Sequence, residues 1–389
     1  MSAAGRNGTP GQPWPEVLPE SLGWQGRPSI EYLAPLPGCP AVVLFLDQDR
    51  RPVQLLTTQQ LKRLAISRLT NQNRPPAGRA DLAAVVRALR WRRIYCPFEG
   101  RWWYYRLARV LYPDDYRKRI GFGPAWFLWL DRRRSVPELR VTERIWTLPG
   151  DFVGPWPAQK ACRAALDGLI DLFDLCREPQ QVRRAPAGQR CSYADMGRCD
   201  APCDGSVPLD AYVDRACAAW RFAGGGVADW IAQADRHMQE AAARQHYERA
   251  ALLKEQIAFA RRWTDRWADA VCTADQMTCL LVIPATRRKA CKLFLFRRGH
   301  LIDGPLLPLV RLIPATRSWA AQTLSEPLPD LDPQVRMEQT WLVAHFLQHR
   351  ESQSALIERL PTECLPPDLE EHLHAALAQP AARPDSMPP

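Results

Sequence analysis

Four cysteines in the middle of the chain are the residues best suited to chemistry. Cys176 ends the stretch DLFDLC, and CSYADMGRCDAPC then supplies Cys191, Cys199 and Cys203. A thiol binds metal as the thiolate, which the metal itself stabilises. Four soft sulfur ligands suit an iron–sulfur cluster or a tetrahedral zinc ion. Zinc ribbons usually have two CxxC pairs, and their absence here favours iron–sulfur over zinc. The alternative to metal binding is that the four cysteines are ordinary buried thiols.

Composition bounds the class of protein. With 389 residues the chain is long enough for two or three hydrophobic cores. The 52 Lys and Arg against 42 Asp and Glu give a net charge of +10, which favours nucleic acid as partner; the alternative is a soluble protein that happens to be basic. The polar beginning and the lack of an apolar run of about 18 residues predict a cytoplasmic protein that does not enter a membrane. In that reducing compartment, cysteines bind metal more often than they form disulfides.

The hydrophobic pattern predicts an α/β (α+β) chain with several domains. Proline-rich ends are expected at residues 1–35, a disordered tail, and 361–389, a partly disordered one. Between them we expect a small α/β domain over 36–150, a cysteine-rich module over 151–223, a helical hairpin over 224–272 and a small α+β region over 273–360.

The first domain shows a short alternation of elements. AVVLFLD (41–47) and PVQLL (52–56) predict two strands, and TTQQLKRLAISRL a basic helix after them. DLAAVVRAL predicts a second helix, WRRIYC a strand, EGRWWYYRLARVLY a helix that Pro113 ends, and AWFLWLD (125–131) another strand. In the last third, CLLVIPA and KLFLFRRGHLIDG predict strands and VRMEQTWLVAHFLQHR a helix.

The cysteine stretch resembles the central part of UvrC, the nuclease subunit of bacterial nucleotide excision repair, and of its shorter relative Cho. GPWP, a helix and Cys176 precede CSYADMGRCDAPCDG, where the family reads roughly C…C-x-x-Y-x-x-x-x-C-x-x-P-C-x-G. Pro202 and Gly205 fit this pattern, while Tyr193 falls one residue short of the usual tyrosine. The resemblance implies a 4Fe–4S cluster on the four cysteines, with zinc as the second choice.

The stretch RHMQEAAARQHYERAALLKEQI resembles the UVR motif, a helical hairpin that docks on a matching hairpin of UvrB. The family pattern M…A…FE.AA.LRD.I falls here on Met238, Tyr247, Glu248, Ala250, Ala251, Lys254, Glu255 and Ile257. The resemblance implies UvrB, or another protein with a UVR hairpin, as the partner. Read from helical spacing alone, the same stretch is an ordinary buried hairpin.

Residues 36–130 resemble a GIY-YIG nuclease domain in the order of their elements. In that family two tyrosines activate the attacking water, an arginine steadies the phosphate and a glutamate holds a divalent metal. Val43 and Gln54 stand where the tyrosines belong, and Leu64 stands where the arginine belongs. Neither Val43 nor Gln54 transfers a proton at neutral pH, so the resemblance implies a degenerate domain.

Two residues stay as catalytic candidates in this domain. Glu99 lies a helix's length before Pro113, as the family's metal glutamate does, and Arg63 could replace the arginine after a one-residue shift. A carboxylate at a helix start is also a favourable dipole charge, which is the structural alternative. We expect a divalent metal such as magnesium only if the nuclease is active. Lys62, Arg63 and Arg68 are the candidates for DNA contact, unless they are merely solvated charges.

Residues 278–311 and VAHFLQHR resemble the stretch that follows the UVR motif in UvrC. UvrC continues into a ribonuclease-H-like nuclease and paired helix-hairpin-helix elements, which this sequence has no residues to supply. We therefore expect a UvrC-like repair protein that binds DNA, UvrB or both, with impaired or absent incision. Two alternatives stay open: an active Cho-like endonuclease that cuts at a single site, and an iron–sulfur adapter with a UVR hairpin outside repair.

Overall fold

The computed structural model of the chain describes residues 17–24, 30–70, 82–131, 133, 136–197, 199–267, 270–286, 289–349, 355–360 and 362–378. These residues form a mixed α/β fold with three four-stranded antiparallel sheets, which confirms the α/β (α+β) part of the expected fold. The chain divides into two compact units. The first comprises residues 1–121 and 283–292, and the second comprises residues 122–282 and 293–389.

The first unit is built on a sheet of strand order β1-β4-β2-β3. Its strands are β1 (Glu20–Gly23), β2 (Ala41–Leu46), β3 (Pro52–Thr58) and β4 (Ala88–Arg93). The central strand β2 is the apolar run AVVLFL; β3 and β4 pair with its two edges, and all six of its residues are buried. Helix α1 (Leu61–Leu69) shares a core with β2 through its apolar stripe.

Three further helices complete the first unit: α2 (Leu82–Val85), α3 (Pro97–Leu111) and α4 (Tyr116–Arg119). Helix α3 agrees with the expected helix over EGRWWYYRLARVLY. Pro97 opens it, where a missing N–H is harmless, and the Cys96 sulfur before it accepts the N–H of Glu99 at 3.4 Å.

Two expectations about this unit are wrong in part. The sequence predicts a disordered tail over residues 1–35, yet β1 pairs with β4, and both Leu18 and Trp24 are buried. Residues 1–16 and 25–29 lie outside the described part. Of the helix expected over DLAAVVRAL, only α2 is helical, because Ala88 and Leu89 enter β4 and pair with β1 and β2. Long-range strand pairing overrides the local helical pattern there.

The second unit contains a sheet of strand order β6-β5-β7-β8. Its strands are β5 (Trp126–Leu130), β6 (Leu139–Thr142), β7 (Asp151–Trp156) and the two-residue β8 (Cys272–Thr273). Because β5 pairs with β7, the first compact unit ends at residue 121 and not near residue 150 as the strand pattern predicts.

Helices follow the sheet in chain order: α5 (Gln159–Leu172), α6 (Pro179–Val182), α7 (Ser192–Asp195), α8 (Leu209–Arg221), α9 (Val227–Ala243) and α10 (Tyr247–Trp267). The last two form the antiparallel pair expected over 224–272. A single wide turn over Phe222–Gly226 joins α8 to α9, and Gly225 adopts φ 123° within it. That left-handed backbone suits only glycine at low cost.

Aromatic side chains hold the base of the hairpin. Trp263 of α10 lies edge-on to Trp156 of β7, with ring centroids 6.3 Å apart, and to Phe222 at 5.4 Å. Phe222 in turn packs on Phe173 and Trp230, each at 5.6 Å. Edge-to-face pairs of this kind add stabilisation beyond the apolar area that they bury.

A third sheet of order β11-β10-β9-β12 closes the chain. Its strands are β9 (Thr278–Pro284), β10 (Ala290–Arg297), β11 (His300–Pro308) and β12 (Leu356–Arg359). Arg298 and Gly299 both have positive φ and make the tight turn from β10 to β11. The turn end of the β9–β10 hairpin, residues 283–292, is counted with the first unit.

Three helices accompany this sheet: α11 (Leu312–Ser325), α12 (Pro333–Gln348) and α13 (Leu369–Ala378). Helix α12 was expected, and the Asp332 side chain caps it by accepting the N–H groups of Gln334 and Val335. Helix α11 was not expected, because Pro314 stands in its first turn, where a helix tolerates proline. Helix α13 lies in the segment predicted to be a partly disordered tail, and residues 379–389 lie outside the described part. Over the ranges described, the chain has no helix apolar and long enough to traverse a bilayer.

Candidate functional site

Cys176 is placed by the end of helix α5. Asp174 takes a left-handed conformation there, φ 49°, which turns the chain away from the helix axis and into the core. Cys176 is 5% exposed and belongs to the same hydrophobic cluster as Trp263. Its sulfur accepts the N–H of Glu178 at 3.3 Å. A cavity of about 430 Å³ lies beside it, with Arg163 and Tyr212 also in its wall.

The other three cysteines lie on short turns. Cys191 precedes helix α7 and, like Cys199, is half-buried, whereas Cys203 is 1% exposed in a one-turn helix. The Cys203 thiol donates to the carbonyl of Gln189 at 3.4 Å. A Cβ on Gly188 would come within 3.0 Å of the Cys203 Cβ, so only glycine allows these two turns to touch.

Ion pairs connect the cysteine turns to one another and to helix α8. Arg190 bridges Asp195 at 3.2 Å and Asp204 at 3.4 Å, and Arg215 of α8 binds Asp200 at 2.8 Å. Two residues of the family pattern bound the turn that carries Cys203: Pro202 begins it, and Gly205 ends it with φ 83°. Tyr193 lies under the guanidinium of Arg177.

The four thiols are electrostatic neighbours. Burial raises the pKa of Cys176 to about 12, and the negative charges that Cys199, Cys203 and Cys191 would carry as thiolates add to this rise. Burial also raises the pKa of Cys199, and the charges of Cys191 and Cys203 as thiolates would raise it further. Within the described residues, however, no three His, Cys, Asp or Glu side chains converge closely enough to form a finished metal site. The thiols are gathered, but they are not at ligand spacing.

The donor set nonetheless fits a thiolate-bound metal centre. All four candidate ligands are sulfur, and backbone N–H groups of Glu178 and Ala201 point to the sulfurs of Cys176 and Cys199. Such hydrogen bonds favour the thiolate. Burial raises the pKa of both thiols, and a bound metal would supply the positive charge that deprotonates them.

The hairpin residues divide between its seam and its surface. Met238 and Ile257 pack in the seam with Leu253 and Ala234. Five residues of the motif pattern are exposed instead: Tyr247, Glu248, Ala251, Lys254 and Glu255, while Ala250 is half-buried. Tyr247 is 68% exposed at the hairpin tip, an unusual place for an aromatic ring.

In the first unit, the expected tyrosine positions face a filled core. Val43 is completely buried in the cluster that includes Leu61 and Ala65 of α1. Gln54 lies opposite Phe45 in the β2–β3 pair. Leu64 packs against this cluster, while Arg63 points to solvent. Adjacent helix positions differ by about 100° in direction, so Arg63 does not take the place of Leu64 by a small shift.

Glu99 is buried and already engaged. One carboxylate oxygen accepts the N–H of Tyr95 at 2.6 Å, and the other lies 3.5 Å from the ammonium of Lys292. Both side chains are less than a tenth exposed. The same surroundings raise the pKa of Cys96 to about 12, with burial as the main cause. A divalent metal at Glu99 would have to displace this lysine.

The positive charge of the chain lies in the first unit. Residues 1–121 and 283–292 carry 23 Lys and Arg against 9 Asp and Glu, a net charge of +14, whereas the second unit carries 29 against 33 and a net charge of −4. The candidate DNA-contact residues belong to the basic unit. Lys62 donates to the carbonyl of Ala34 at 2.9 Å, Arg63 is exposed, and Arg68 is half-buried.

The match to a family model covers the β5–β7 strands and the cysteine turns. Residues 125–222, from β5 to the end of α8, match the family described as UvrC/Cho excinuclease, middle domain. This part of the chain is therefore similar to the middle domain of UvrC-family proteins. The UvrABC system protein C of Syntrophotalea carbinolica is 29% identical over 130 residues, which cover 33% of this chain and 21% of that protein.

Two further relatives extend the comparison. The UvrABC system protein C of Streptomyces coelicolor is 21% identical over 268 residues, 68% of this chain and 37% of that protein. That of a Parafrankia species is 31% identical over 170 residues, 42% of this chain and 21% of that protein. The chain thus spans between 21% and 37% of the length of these relatives. No solved structure matches the chain significantly.

Sequence reasoning missed the residues that complete these sites. Lys292 comes from a strand almost 200 residues after Glu99, and no local pattern links the two. Tyr212 and Arg215 follow the cysteines on α8, at the i, i+3 spacing that puts two side chains on one helix face. That spacing was a usable signal, but nothing in the sequence shows that this face turns toward Cys176.

The buried pair of Glu99 and Lys292 predicts a specific pattern of stability. Lys292→Met removes a cation 3.5 Å from a buried carboxylate, so we expect a loss of about 3–5 kcal/mol in the free energy of unfolding. Glu99→Gln should cost a similar amount, and the double variant should recover part of the loss because both charges are gone. Urea unfolding followed by circular dichroism measures each value.

Lys289→Met is the matched control, since Lys289 is exposed on the same hairpin and its removal should leave stability unchanged. Two single effects that simply add in the double variant would show that the pair does not interact.

Proposed function

We propose that this chain is a UvrC-like protein of nucleotide excision repair that binds DNA and UvrB, and that its first unit does not cut DNA. The observation that carries the proposal is the partition of charge: the unit that resembles a nuclease keeps a net charge of +14 while a buried valine fills one of its tyrosine positions. Attraction to a polyanion survives there without the groups for catalysis.

The loss of cutting follows from chemistry at three positions. Val43 has no proton to move, and Gln54 does not ionise near neutral pH, so neither activates a water molecule. The ammonium of Lys292 lies 3.5 Å from the Glu99 carboxylate, and its positive charge disfavours the binding of a divalent metal there. Removal of general acid–base groups alone typically costs about 10²–10⁴-fold in rate.

DNA binding rests on long-range electrostatics. Each lysine or arginine that meets a phosphate releases condensed counterions, and this gives affinity without sequence preference. Arg63 and Arg68 have no ion-pair partner among the described residues, so their charges remain available. Guanidinium groups also stack on tryptophan in this unit, as Arg92 does on Trp103 at 4.1 Å.

The triple variant Lys62→Ala, Arg63→Ala, Arg68→Ala tests the DNA surface. We expect weaker binding to duplex DNA and a salt dependence of log K that is shallower by up to about 3, one for each cation that no longer meets a phosphate. Fluorescence anisotropy at several potassium chloride concentrations measures both quantities.

Its control removes three exposed arginines of the second unit, Arg236, Arg261 and Arg262, for the same change in net charge. If both triple variants bind DNA equally weakly, the DNA surface lies elsewhere and only the total charge matters.

Incision is tested directly with the purified chain, UvrA, UvrB and lesion-bearing duplex in magnesium. We expect no nick, because the proton-transfer groups are absent from the first unit. A nick that disappears in Glu99→Gln, with the variant still folded by circular dichroism, would instead establish a Cho-like endonuclease.

The hairpin of α9 and α10 is proposed as the UvrB-docking element. Its seam is closed by Met238, Leu253 and Ile257, so the hairpin is formed before any partner arrives. Tyr247 and Ala251 lie one helical turn apart on the exposed side of α10, with Glu248 and Lys254 beside them. An exposed aromatic residue surrounded by polar side chains is typical of a hot spot in a protein–protein interface.

Tyr247→Ala should weaken the recovery of UvrB by this chain about 30-fold or more, the effect of removing a hot-spot aromatic residue. Leu252→Ala is the matched control, since Leu252 is 45% exposed and lies on another face of the same helix. Pull-down with purified UvrB measures the affinity. A wild-type chain that fails to bind UvrB would favour an adapter outside repair.

The four cysteines are proposed to hold a 4Fe–4S cluster, with zinc as the second choice. Cys176, Cys191, Cys199 and Cys203 would be the ligands, and the group would supply a structural cross-link between the end of α5 and the turns before α8. No divalent magnesium is expected, since the first unit lacks the rest of a nuclease site. Partly exposed ion pairs contribute to these turns and stabilise weakly, so such a cross-link would add stability there.

A further inference from the structure

Arg215 has unused hydrogen-bond donors next to the cysteine turns. One guanidinium nitrogen donates to Asp200 at 2.8 Å. Its Nε and its second terminal nitrogen are inaccessible to solvent and have no hydrogen-bond partner among the residues that the structure describes. The Arg215 side chain is half-buried as a whole, but buried donors without a partner are costly, and a native structure keeps them where something else satisfies them.

The surroundings of Arg215 identify which part of the protein it serves. Asp200, its partner, directly follows Cys199. Tyr212, one helical turn before Arg215, is hydrogen-bonded to the main chain of Cys176. Asp174, two residues before Cys176, is also within electrostatic reach of Arg215. Arg215 therefore lies between the two segments that deliver Cys176 and Cys199.

Charge balance gives this position a chemical meaning. Four thiolates around one zinc ion, or around an oxidised 4Fe–4S cluster, leave a net charge of about two negative units in either case. Part of this charge would be buried, because Cys176 and Cys203 are 5% and 1% exposed. A buried anion is stable only when a cation or hydrogen-bond donors accompany it.

We propose that Arg215 is a positioning residue of the four-cysteine centre: it fixes the Cys199 turn through Asp200 and gives its unspent donors and its positive charge to the thiolates of the loaded form. The proposal rests on the metal centre proposed above. It holds for iron–sulfur and for zinc, because both give the centre the same sign of charge.

The test compares Arg215→Gln and Arg215→Lys with the wild-type chain, all purified without oxygen. Iron, sulfide and zinc per chain are measured first, and then the rate at which a chelator removes the metal. Loss of a residue that supports metal ligands typically costs about 10–100-fold in metal affinity, so we expect metal release from Arg215→Gln to be faster by that order. Arg215→Lys should fall between, since it keeps the charge and loses the planar fork.

For an iron–sulfur centre, a second readout is the reduction potential. Removal of a nearby positive charge disfavours the more negative reduced form, so the potential of Arg215→Gln should be lower than that of the wild type. Arg221→Gln is the control for both readouts, because Arg221 is exposed at the end of the same helix. Circular dichroism verifies that each variant is folded.

The outcomes separate the two proposals. A wild-type chain that carries neither iron nor zinc after anaerobic purification would overturn the metal centre and the role of Arg215 with it. A wild-type chain that carries metal, with release and potential unchanged in folded Arg215→Gln, would overturn the role of Arg215 alone. If Arg215→Gln does not fold, Arg215→Lys takes its place in the test. A rate of metal release from Arg215→Lys equal to that of the wild type would then overturn the role of Arg215.

Discussion

The edge-to-face contact of Trp263 with Trp156 and Phe222 is the packing on which the second unit depends. Each ring comes from a different element: the base of the hairpin, strand β7, and the turn between α8 and α9. The same hydrophobic cluster contains Cys176 and Tyr212. The hairpin and the first cysteine thus share one core, and a disturbance of either is felt by the other through close-packed side chains.

That core reaches only one of the four cysteines fully. Cys176 follows α5 inside this core, whereas Cys191 and Cys199 are half-buried on turns that form ion pairs with Arg190 and Arg215. Partly exposed ion pairs stabilise weakly, so a centre that binds all four thiols would change the rigidity of these turns more than that of the helices.

The sequence is a good guide wherever local pattern decides structure. The β2–β3 hairpin, helices α1 and α3 and the α9–α10 pair are predictable from period and capping residues, and the cysteines stand out by type and spacing. Partners distant in sequence are not predictable. Strand β5 pairs with β7, β1 pairs with β4, and Glu99 forms an ion pair with Lys292 of strand β10. Local pattern carries no information about such pairings, so the domain boundary and the state of Glu99 emerge only from the fold.

The division of charge between the two units has a consequence for encounter. A polyanion attracts the unit of net charge +14 and repels the unit of net charge −4, so collisions with the first unit become more frequent than collisions with the second. At physiological salt this bias acts only within ~8 Å of contact, because counterions screen the field beyond that distance.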